Sequence, residues 1–300
     1  MIVKHCRRAL VPVLGLALLL VSAQQPPAAD GIGRAVITPN HVMAGSTNTF
    51  TLVFSADVGA LEGQTLIDVP RGWSPPQTTR PGAAGYVRIV PGSCTSATKL
   101  SRVVGRRLIV ATSCRRGQSF TLTYGPAIAS TLAADGYVFL TQTRPTTGIV
   151  TTKTIKTTVR TKKGRRRTRL KRIRIVTKPT FRPLAPPKQP IVVVTGAPVD
   201  HLVINAPSIA TSGTPFGITV RAEDVFGNVA CCYTGTVSFS SSDPDAFLPT
   251  PYRFVTSDLG SKSFGRIILR GVGTQTISVS DDSGHGDASN PINVYPFPTG

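Results

Sequence analysis

The sequence predicts an all-β protein with two sandwich domains in tandem. Short runs alternate apolar and polar residues with a period of two, as Phe50, Leu52 and Phe54 do, and this pattern is typical of half-buried strands. The runs end at turn-forming residues, and the chain of 300 residues contains 28 glycines and 25 prolines. Glutamate, a strong helix former, occurs only at Glu62 and Glu223. The length suits two domains.

Residues 1–23 are predicted to be a signal peptide. Three cations precede an apolar stretch at residues 9–21, and small residues follow at the positions that a signal peptidase recognises, including Ala23. The apolar stretch is shorter than the roughly 20 residues that span a bilayer, and an uncleaved membrane anchor is the alternative. The expected localisation is secreted or cell envelope.

The first half of the chain contains motifs of a known kind of repeat. They are residues 67–73 (IDVPRGW), 85–87 (GYV) and 117–125 (GQSFTLTYG). Together they resemble the immunoglobulin-like repeats of bacterial cell-surface proteins. The resemblance implies a first sandwich over residues 31–196, whose last strand is delayed until residues 189–194. Residues 151–189 are therefore predicted to be a basic insertion into the last hairpin of this sandwich.

The second half carries a more specific set of motifs. They are residues 220–228 (VRAEDVFGN), 233–239 (YTGTVSF) and 273–279 (GTQTISV). This half resembles the adhesin- or invasin-like and filamin-like immunoglobulin-type domains of bacterial surface proteins. The resemblance implies a second sandwich over residues 198–296 and an adhesion-type role. The pair Cys231-Cys232 departs from the pattern, because such repeats usually have small or polar residues there.

Most of the positive charge lies in one segment. The formal net charge is +20, and fifteen lysines and arginines between Lys153 and Lys188 are accompanied by no aspartate or glutamate. Such a segment repels itself unless something anionic lies beside it. We therefore predict a polyanion-binding site. Its candidate residues are Lys153, Lys156, Arg160, Lys162, Lys163, Arg165, Arg166, Arg167, Arg169, Lys171, Arg172 and Arg174.

The sequence leaves the shape of this segment open. Residues 162–165 (KKGR) suit a turn, and a two-stranded ribbon would set Ile155 and Val159 opposite Ile173 and Ile175. Isolated ribbons are marginal in water, and like charges that face each other weaken them further. The alternative is a disordered arm that an anion would order.

The expected partners are anionic polymers or surfaces outside the cell. They comprise an anionic cell-wall polymer, a polysaccharide, an anionic lipid surface and, without base specificity, extracellular DNA. Clustered cations release condensed counterions from such polymers. Base-specific recognition is not expected, because Phe181 is the only aromatic residue of the insertion. A solvated, cleavable linker without a ligand is the alternative, and the oligomeric state is left open.

Four cysteines follow the predicted signal peptide. Cys94 and Cys114 flank a hairpin-like stretch and are expected to form a disulfide in an oxidising compartment. Cys231 and Cys232 are adjacent, so they could form a vicinal disulfide, link two chains or remain thiols. Metal binding is not expected there, because no further ligands cluster with them.

Two other features have competing interpretations. Asp281, Asp282 and Asp287 lie in a loop that is a weak calcium candidate, although its composition favours a plain turn. Trp73 could stack on a sugar, but a role in covering the edge of the sandwich is favoured. No metal and no cofactor are expected.

The sequence offers no catalytic residues. No serine has a nucleophile-elbow context, and the histidines after the predicted signal peptide are scattered. We therefore predict an exported, non-enzymatic surface or matrix interaction module that holds an anionic polymer. One alternative is a purely structural spacer. The other is a carbohydrate-active enzyme or its accessory domain, which would need paired carboxylates.

Overall fold

The structure is a computed structural model that describes residues 31–147, 150–160, 166–176 and 178–298. The predicted signal peptide lies outside these residues. The described residues are all-β, as the sequence predicts; they contain no α-helix, and short 3-10 helices occur at Pro186–Lys188 and Thr256–Asp258. None of the helices in the described ranges is long and apolar enough to cross a membrane.

The strands follow one another closely along the chain. Those of the first part are β1 (Arg34–Thr38), β2 (His41–Met43), β3 (Thr47–Ser55), β4 (Leu61–Asp68), β5 (Val87–Val90), β6 (Lys99–Val104), β7 (Arg107–Cys114), β8 (Ser119–Ile128), β9 (Ala134–Val138), β10 (Thr141–Pro145), β11 (Val150–Arg160), β12 (Arg166–Val176), β13 (Arg182–Pro183) and β14 (Ile191–Thr195). Those of the second part are β15 (His201–Asn205), β16 (Ile209–Thr211), β17 (Phe216–Glu223), β18 (Thr236–Ser241), β19 (Tyr252–Arg253), β20 (Ser261–Ile267), β21 (Gly273–Gln275), β22 (Ile277–Asp281), β23 (Gly286–Ala288) and β24 (Ile292–Tyr295).

A first hydrophobic core forms between residues 35 and 194. Two main sheets contribute to it, with strand orders β1-β3-β8-β5 and β13-β10-β4-β7-β6, and a smaller sheet has the order β2-β14-β9. The alternation that predicts β3 places Phe50, Leu52 and Phe54 in this core, each at most 1% exposed. The period of two in the sequence is therefore the pleat of a strand that buries one face.

Trp73 belongs to the interior of the first core. It is 3% exposed, and its ring centroid lies 5.2 Å from that of Phe50 and 5.2 Å from that of Phe139 in edge-to-face contacts. An indole buried in this way has no free face for a sugar ring. The idea of a stacking platform at Trp73 is therefore wrong.

The last strands of the first part form a nested series of pairs. β9 pairs with β14, β10 pairs with β13 (Thr143 opposite Arg182), and β11 pairs with β12 (Val150 opposite Val176), all antiparallel. β14 also lies parallel to β2. The pair of β11 and β12, called the basic ribbon from here on, thus continues a hairpin whose inner strands belong to the sheets of the first core.

A second hydrophobic core lies between residues 202 and 294. Its sheets have the orders β15-β17-β20, β19-β18-β22-β23 and β16-β24-β21. Ile218 and Val220 of β17, Val237 of β18, and Ile277 and Val279 of β22 are buried, at most 2% exposed each. These are inward positions that the sequence pattern predicts.

The loop after β17, residues 224–228, connects the two cores and is called the joint loop. Asp224 is completely buried, and its carboxylate accepts hydrogen bonds from the backbone N–H groups of Ala197, Phe226 and Asn228 at 2.7 to 2.9 Å. The side chain of Asn228 donates to the carbonyl oxygen of Thr131, between β8 and β9, at 2.8 Å. The loop thus joins the second core to the first.

Candidate polyanion-binding ribbon

The register of the basic ribbon separates its cations. Arg160 lies opposite Arg166, and every other cation of the two strands lies opposite a neutral residue. These pairs are Lys153 with Ile173, Lys156 with Leu170, Arg167 with Val159, Arg169 with Thr157, Lys171 with Ile155, Arg172 with Thr154, and Arg174 with Thr152. Because directly opposed like charges destabilise a strand pair, this register lowers the self-repulsion that the sequence alone suggests.

The register differs from the expected pairing of apolar residues. Ile155 lies opposite Lys171 and Val159 opposite Arg167, so neither faces Ile173 or Ile175. The expected apolar cross-strand pairs are therefore wrong. The register sets a cation opposite each of these two apolar residues instead.

The cations occupy both faces of the ribbon. Successive residues of a strand belong to opposite faces, so positions 166, 172 and 174 of β12 belong to one face and positions 167, 169 and 171 to the other. Directly opposed residues share a face. Lys153 consequently shares a face with positions 167, 169 and 171, and Lys156 and Arg160 share the other. Neither face is free of cations.

Parts of the ribbon are demonstrably open to solvent. Thr154 and Arg172 are exposed, and Leu170 is 62% exposed, whereas Ile173 is half-buried. Three of the candidate residues, Lys162, Lys163 and Arg165, belong to the predicted turn and lie outside the described residues. The nine others are positions of β11 and β12.

The residues on either side of the basic ribbon, on β10 and around β13 and called its root, contact the first core. The guanidinium carbon of Arg144, on β10, lies 4.7 Å from the ring centroid of Phe181, and Arg144 also donates to the side-chain oxygen of Gln64. Just beyond β13, Leu184 is 1% exposed. The ring of Phe181 thus contacts a cation of β10, a long-range contact that no local sequence pattern predicts.

Carboxylates of the second core are used within that core. Asp243 is 3% exposed and accepts hydrogen bonds from the backbone N–H groups of Asp245, Arg270 and Gly271. Burial raises the pKa of Asp243, but these donors outweigh it and hold the pKa below its ordinary value. A carboxylate that is enclosed by its own donors is not available to neutralise the ribbon.

Asp258 is used in a similar way. Its carboxylate accepts hydrogen bonds from the N–H group of Val255, the hydroxyl of Tyr252 and the ammonium of Lys262, at 2.9 to 3.0 Å. Burial raises its pKa, and these three donors lower it below the ordinary value. Near the root of the ribbon, the carboxylate of Asp57 is paired with Lys188 at 3.1 Å.

The three aspartates of the weak calcium candidate have separate surroundings. Asp281 accepts hydrogen bonds from the hydroxyl of Tyr233 and the backbone N–H of Ser283, Asp287 accepts one from the N–H of Ile204, and Asp282 is exposed. The described ranges contain no group of three or more His, Cys, Asp or Glu side chains that could hold a metal ion. The bonds that the backbone N–H groups of Ser283 and His285 donate to Asp281 give the loop the geometry of a turn after β22.

The cysteines fall into two kinds. Cys94 and Cys114 are joined by a disulfide between residues 20 apart in sequence, and both are buried. The sulfur atoms of Cys231 and Cys232 are 3.6 Å apart and are not bonded to each other, with Cys232 exposed and Cys231 half-buried. In this structure the adjacent pair is therefore a dithiol.

Similarity to known proteins is found among solved structures. No protein-family model matches the chain, and no curated protein matches it. Among solved structures, the chain is similar to FdeC, a broadly conserved Escherichia coli adhesin, with 14% sequence identity and a TM-score of 0.29. The match covers 88% of this chain and 64% of the adhesin chain, so the chain spans less than two thirds of that adhesin.

Proposed function

We propose that this protein is an exported, non-enzymatic interaction module of a cell surface or matrix, and that its basic ribbon holds an anionic polymer. Two tandem immunoglobulin-like sandwiches carry the ribbon, which is inserted into the last hairpin of the first. The observation that supports this proposal most strongly is the ribbon's register, in which nine cations are held on paired strands and only Arg160 and Arg166 oppose each other.

The charge of the ribbon favours an external anionic partner. No acidic residue occurs from Lys153 to Lys188, and buried carboxylates such as Asp243 and Asp258 are saturated by their own donors. Neutralisation of the ribbon therefore comes from counterions or from a polyanion. Because a polyanion releases its condensed counterions when it binds, the second outcome is entropically favoured at low salt.

The distribution of cations favours a polymer over a flat lipid surface. A strand pair that lies on a membrane would present its cations on one face, whereas this ribbon has cationic positions on both faces. Each strand of 11 residues spans about 35 Å at the usual rise per residue. A flexible anionic chain can contact both faces over that length, and a bilayer surface contacts one.

Retention on anionic resins tests the proposal. The variant replaces residues 150–176 with Asn-Gly, a pair that suits a tight turn, and it keeps β10, β13 and the buried Leu184. We expect the full chain to be retained by heparin and DNA resins at low salt and released by moderate salt, and the shortened chain to flow through. Retention that is equal for the two proteins would contradict ligand binding by the ribbon and would favour a structural spacer.

A vesicle assay separates the two kinds of anionic partner. Sedimentation with vesicles of mixed neutral and anionic phospholipid is compared with retention on heparin at the same salt concentration. We expect much stronger binding to heparin than to the vesicles. Binding to vesicles that equals or exceeds binding to heparin would show that a lipid surface is the partner.

A further inference from the structure

The adjacent cysteines occupy the tip of a closed turn. The backbone N–H of Tyr233 donates to the carbonyl oxygen of Ala230 at 3.0 Å, so Cys231 and Cys232 are the two central residues of a β-turn. Their sulfur atoms are 3.6 Å apart, and Cys232 is the more exposed of the two. The turn therefore displays two thiols side by side at the surface.

Both ends of this turn are anchored in the second core. Ala230 is 3% exposed, and its N–H donates to the carbonyl oxygen of Ala222 at 2.8 Å. Tyr233 is 7% exposed, its hydroxyl donates to Asp281 at 2.8 Å, and its ring lies 5.0 Å from that of Phe254 in an edge-to-face contact. Because the ends are fixed, the two thiols stay close together, and reaction of one places the other within reach.

We propose that Cys231 and Cys232 form a site for reversible thiol–disulfide exchange with an external disulfide. The thiolate of Cys232 attacks one sulfur of the external disulfide, which forms a mixed disulfide and releases one external thiolate. The thiolate of Cys231 then attacks the Cys232 sulfur and displaces the second external thiolate. Two protein thiols and one external disulfide thus become one protein disulfide and two external thiols, with the two protons taken up by the departing thiolates.

The assignment of the two roles follows from exposure. Attack on a disulfide of another molecule depends on access to the thiolate, and Cys232 is exposed. The half-buried Cys231 is less accessible to a bulky molecule but lies 3.6 Å from the Cys232 sulfur. Cys232 is therefore the attacking residue, and Cys231 is the residue that resolves the mixed disulfide.

The product is easily reduced again, which makes the site reversible. The Cα atoms of adjacent residues are about 3.8 Å apart, below the range of about 4.4–6.8 Å in ordinary disulfides. A bridge between adjacent residues is therefore strained, and strained, exposed disulfides are the labile ones. The buried bond between Cys94 and Cys114 is expected to survive conditions that reopen the vicinal bond.

Intact-mass spectrometry tests this proposal on the full chain. All proteins carry Cys6→Ser, which removes the remaining cysteine, and are prepared as dithiols with a mild thiol that leaves the Cys94–Cys114 bond intact by mass. Oxidised glutathione is then added in excess, and samples are quenched with acid over time. We expect a transient glutathione adduct that converts to a species two hydrogens lighter than the starting protein.

Two serine variants assign the roles. Cys231→Ser is expected to stop at a stable adduct with one glutathione, because the resolving thiol is missing. Cys232→Ser is expected to form an adduct at least about tenfold more slowly, since access limits the remaining thiol. A stable adduct in the chain with both thiols, a disulfide-linked dimer as its main product, or adduct formation in Cys232→Ser at the unmodified rate would overturn the proposal.

A reduction series supplies an independent measurement. Increasing concentrations of reduced glutathione are applied to the oxidised protein, and the two disulfides are followed by mass. We expect the vicinal bond to open at a concentration at least about tenfold lower than the Cys94–Cys114 bond, as follows from its strain. If the two bonds open together, the vicinal pair is not a reversible site.

Discussion

The Oδ1 atom of Asn228 accepts a hydrogen bond of 2.8 Å from the backbone N–H of Ala133, which lies 95 residues earlier in the chain. The amide nitrogen of the same side chain donates to Thr131 and to the buried Asp224. One side chain thus satisfies polar groups from both cores. Removal of such a side chain leaves donors and acceptors unpaired, and this is more costly than the net value of the bonds themselves.

We expect Asn228→Ala to destabilise the protein by about 1–3 kcal/mol, because the buried partners of the amide lose their bonds. Urea unfolding followed by the fluorescence of the single tryptophan, Trp73, reports whether the first core is affected. Asn205→Ala, at an exposed position, is the matched control. Equal unfolding midpoints for the two variants would show that the side chain of Asn228 contributes nothing to stability.

We expect removal of two ribbon cations to weaken polyanion binding in a salt-dependent way. In the double variant Arg172→Gln and Arg174→Gln, two contacts to a polyanion are lost, and the slope of log K against log salt should decrease by about two. The slope is measured with a heparin fragment or a DNA duplex.

The control for this experiment removes the same charge elsewhere. Arg253 and Arg266 are exposed residues of the second core, and their change to glutamine alters the net charge equally. We expect nearly the original slope for this control. Equal losses in both double variants would mean that binding depends on net charge and not on the ribbon.

We expect the second core to lose stability in acid through Asp243. Its folded pKa lies below the ordinary value of 3.8, so ionised Asp243 stabilises the fold above that pH. This stabilisation is present above the ordinary pKa and is lost as pH falls through the lower folded pKa. Asp243→Asn should be less stable at pH 7 and have a shallower decline in acid. Calorimetry from pH 7 down through the folded pKa measures both effects.

The exposed Asp282 provides the control for the acid experiment. Asp282→Asn changes the net charge by the same amount but removes no buried hydrogen bonds. Its pH profile should follow that of the unmodified protein. If Asp243→Asn has the same profile as Asp282→Asn, the hydrogen bonds to Asp243 do not control the acid sensitivity.

We expect removal of the disulfide to destabilise the first core. The bond closes a loop of 20 residues, and the loss of such a constraint on the unfolded chain costs about 3 kcal/mol in the chain-entropy model. The double variant Cys94→Ala and Cys114→Ala is compared with the unmodified protein in urea. Unchanged midpoints would indicate that the bond contributes little.

The strands were predictable from sequence where one face is buried. Phe50, Leu52 and Phe54 mark β3 because only one register of the strand buries all three side chains. A slip by one residue would expose them. Residues 150–176 lack this information. Cations and apolar residues occur at both odd and even positions of the ribbon, so no buried face specifies the register. For that reason its apolar residues could not be paired correctly.

The contacts of the joint loop with the first core were not predictable for a different reason. The spacing of Asp224 and Asn228 predicts a tight turn, and the structure has that turn. A turn pattern is local, however, and says nothing about Ala133, which the same asparagine contacts. The carboxylate bonds of Asp243 likewise depend on Arg270 and Gly271, which are distant in sequence. Such partners become visible only when the sheets have packed.

β9 pairs with β14, β10 with β13 and β11 with β12. The length of the basic ribbon, β11 and β12, is therefore independent of the other two pairs. Opposed pairs of residues could be added to or removed from β11 and β12 while β9, β10, β13 and β14 stay in place. Each such pair would change the length of the basic ribbon by about 3.4 Å. A change in the length of the basic ribbon should therefore leave the pairing of β9 with β14 and of β10 with β13 unchanged.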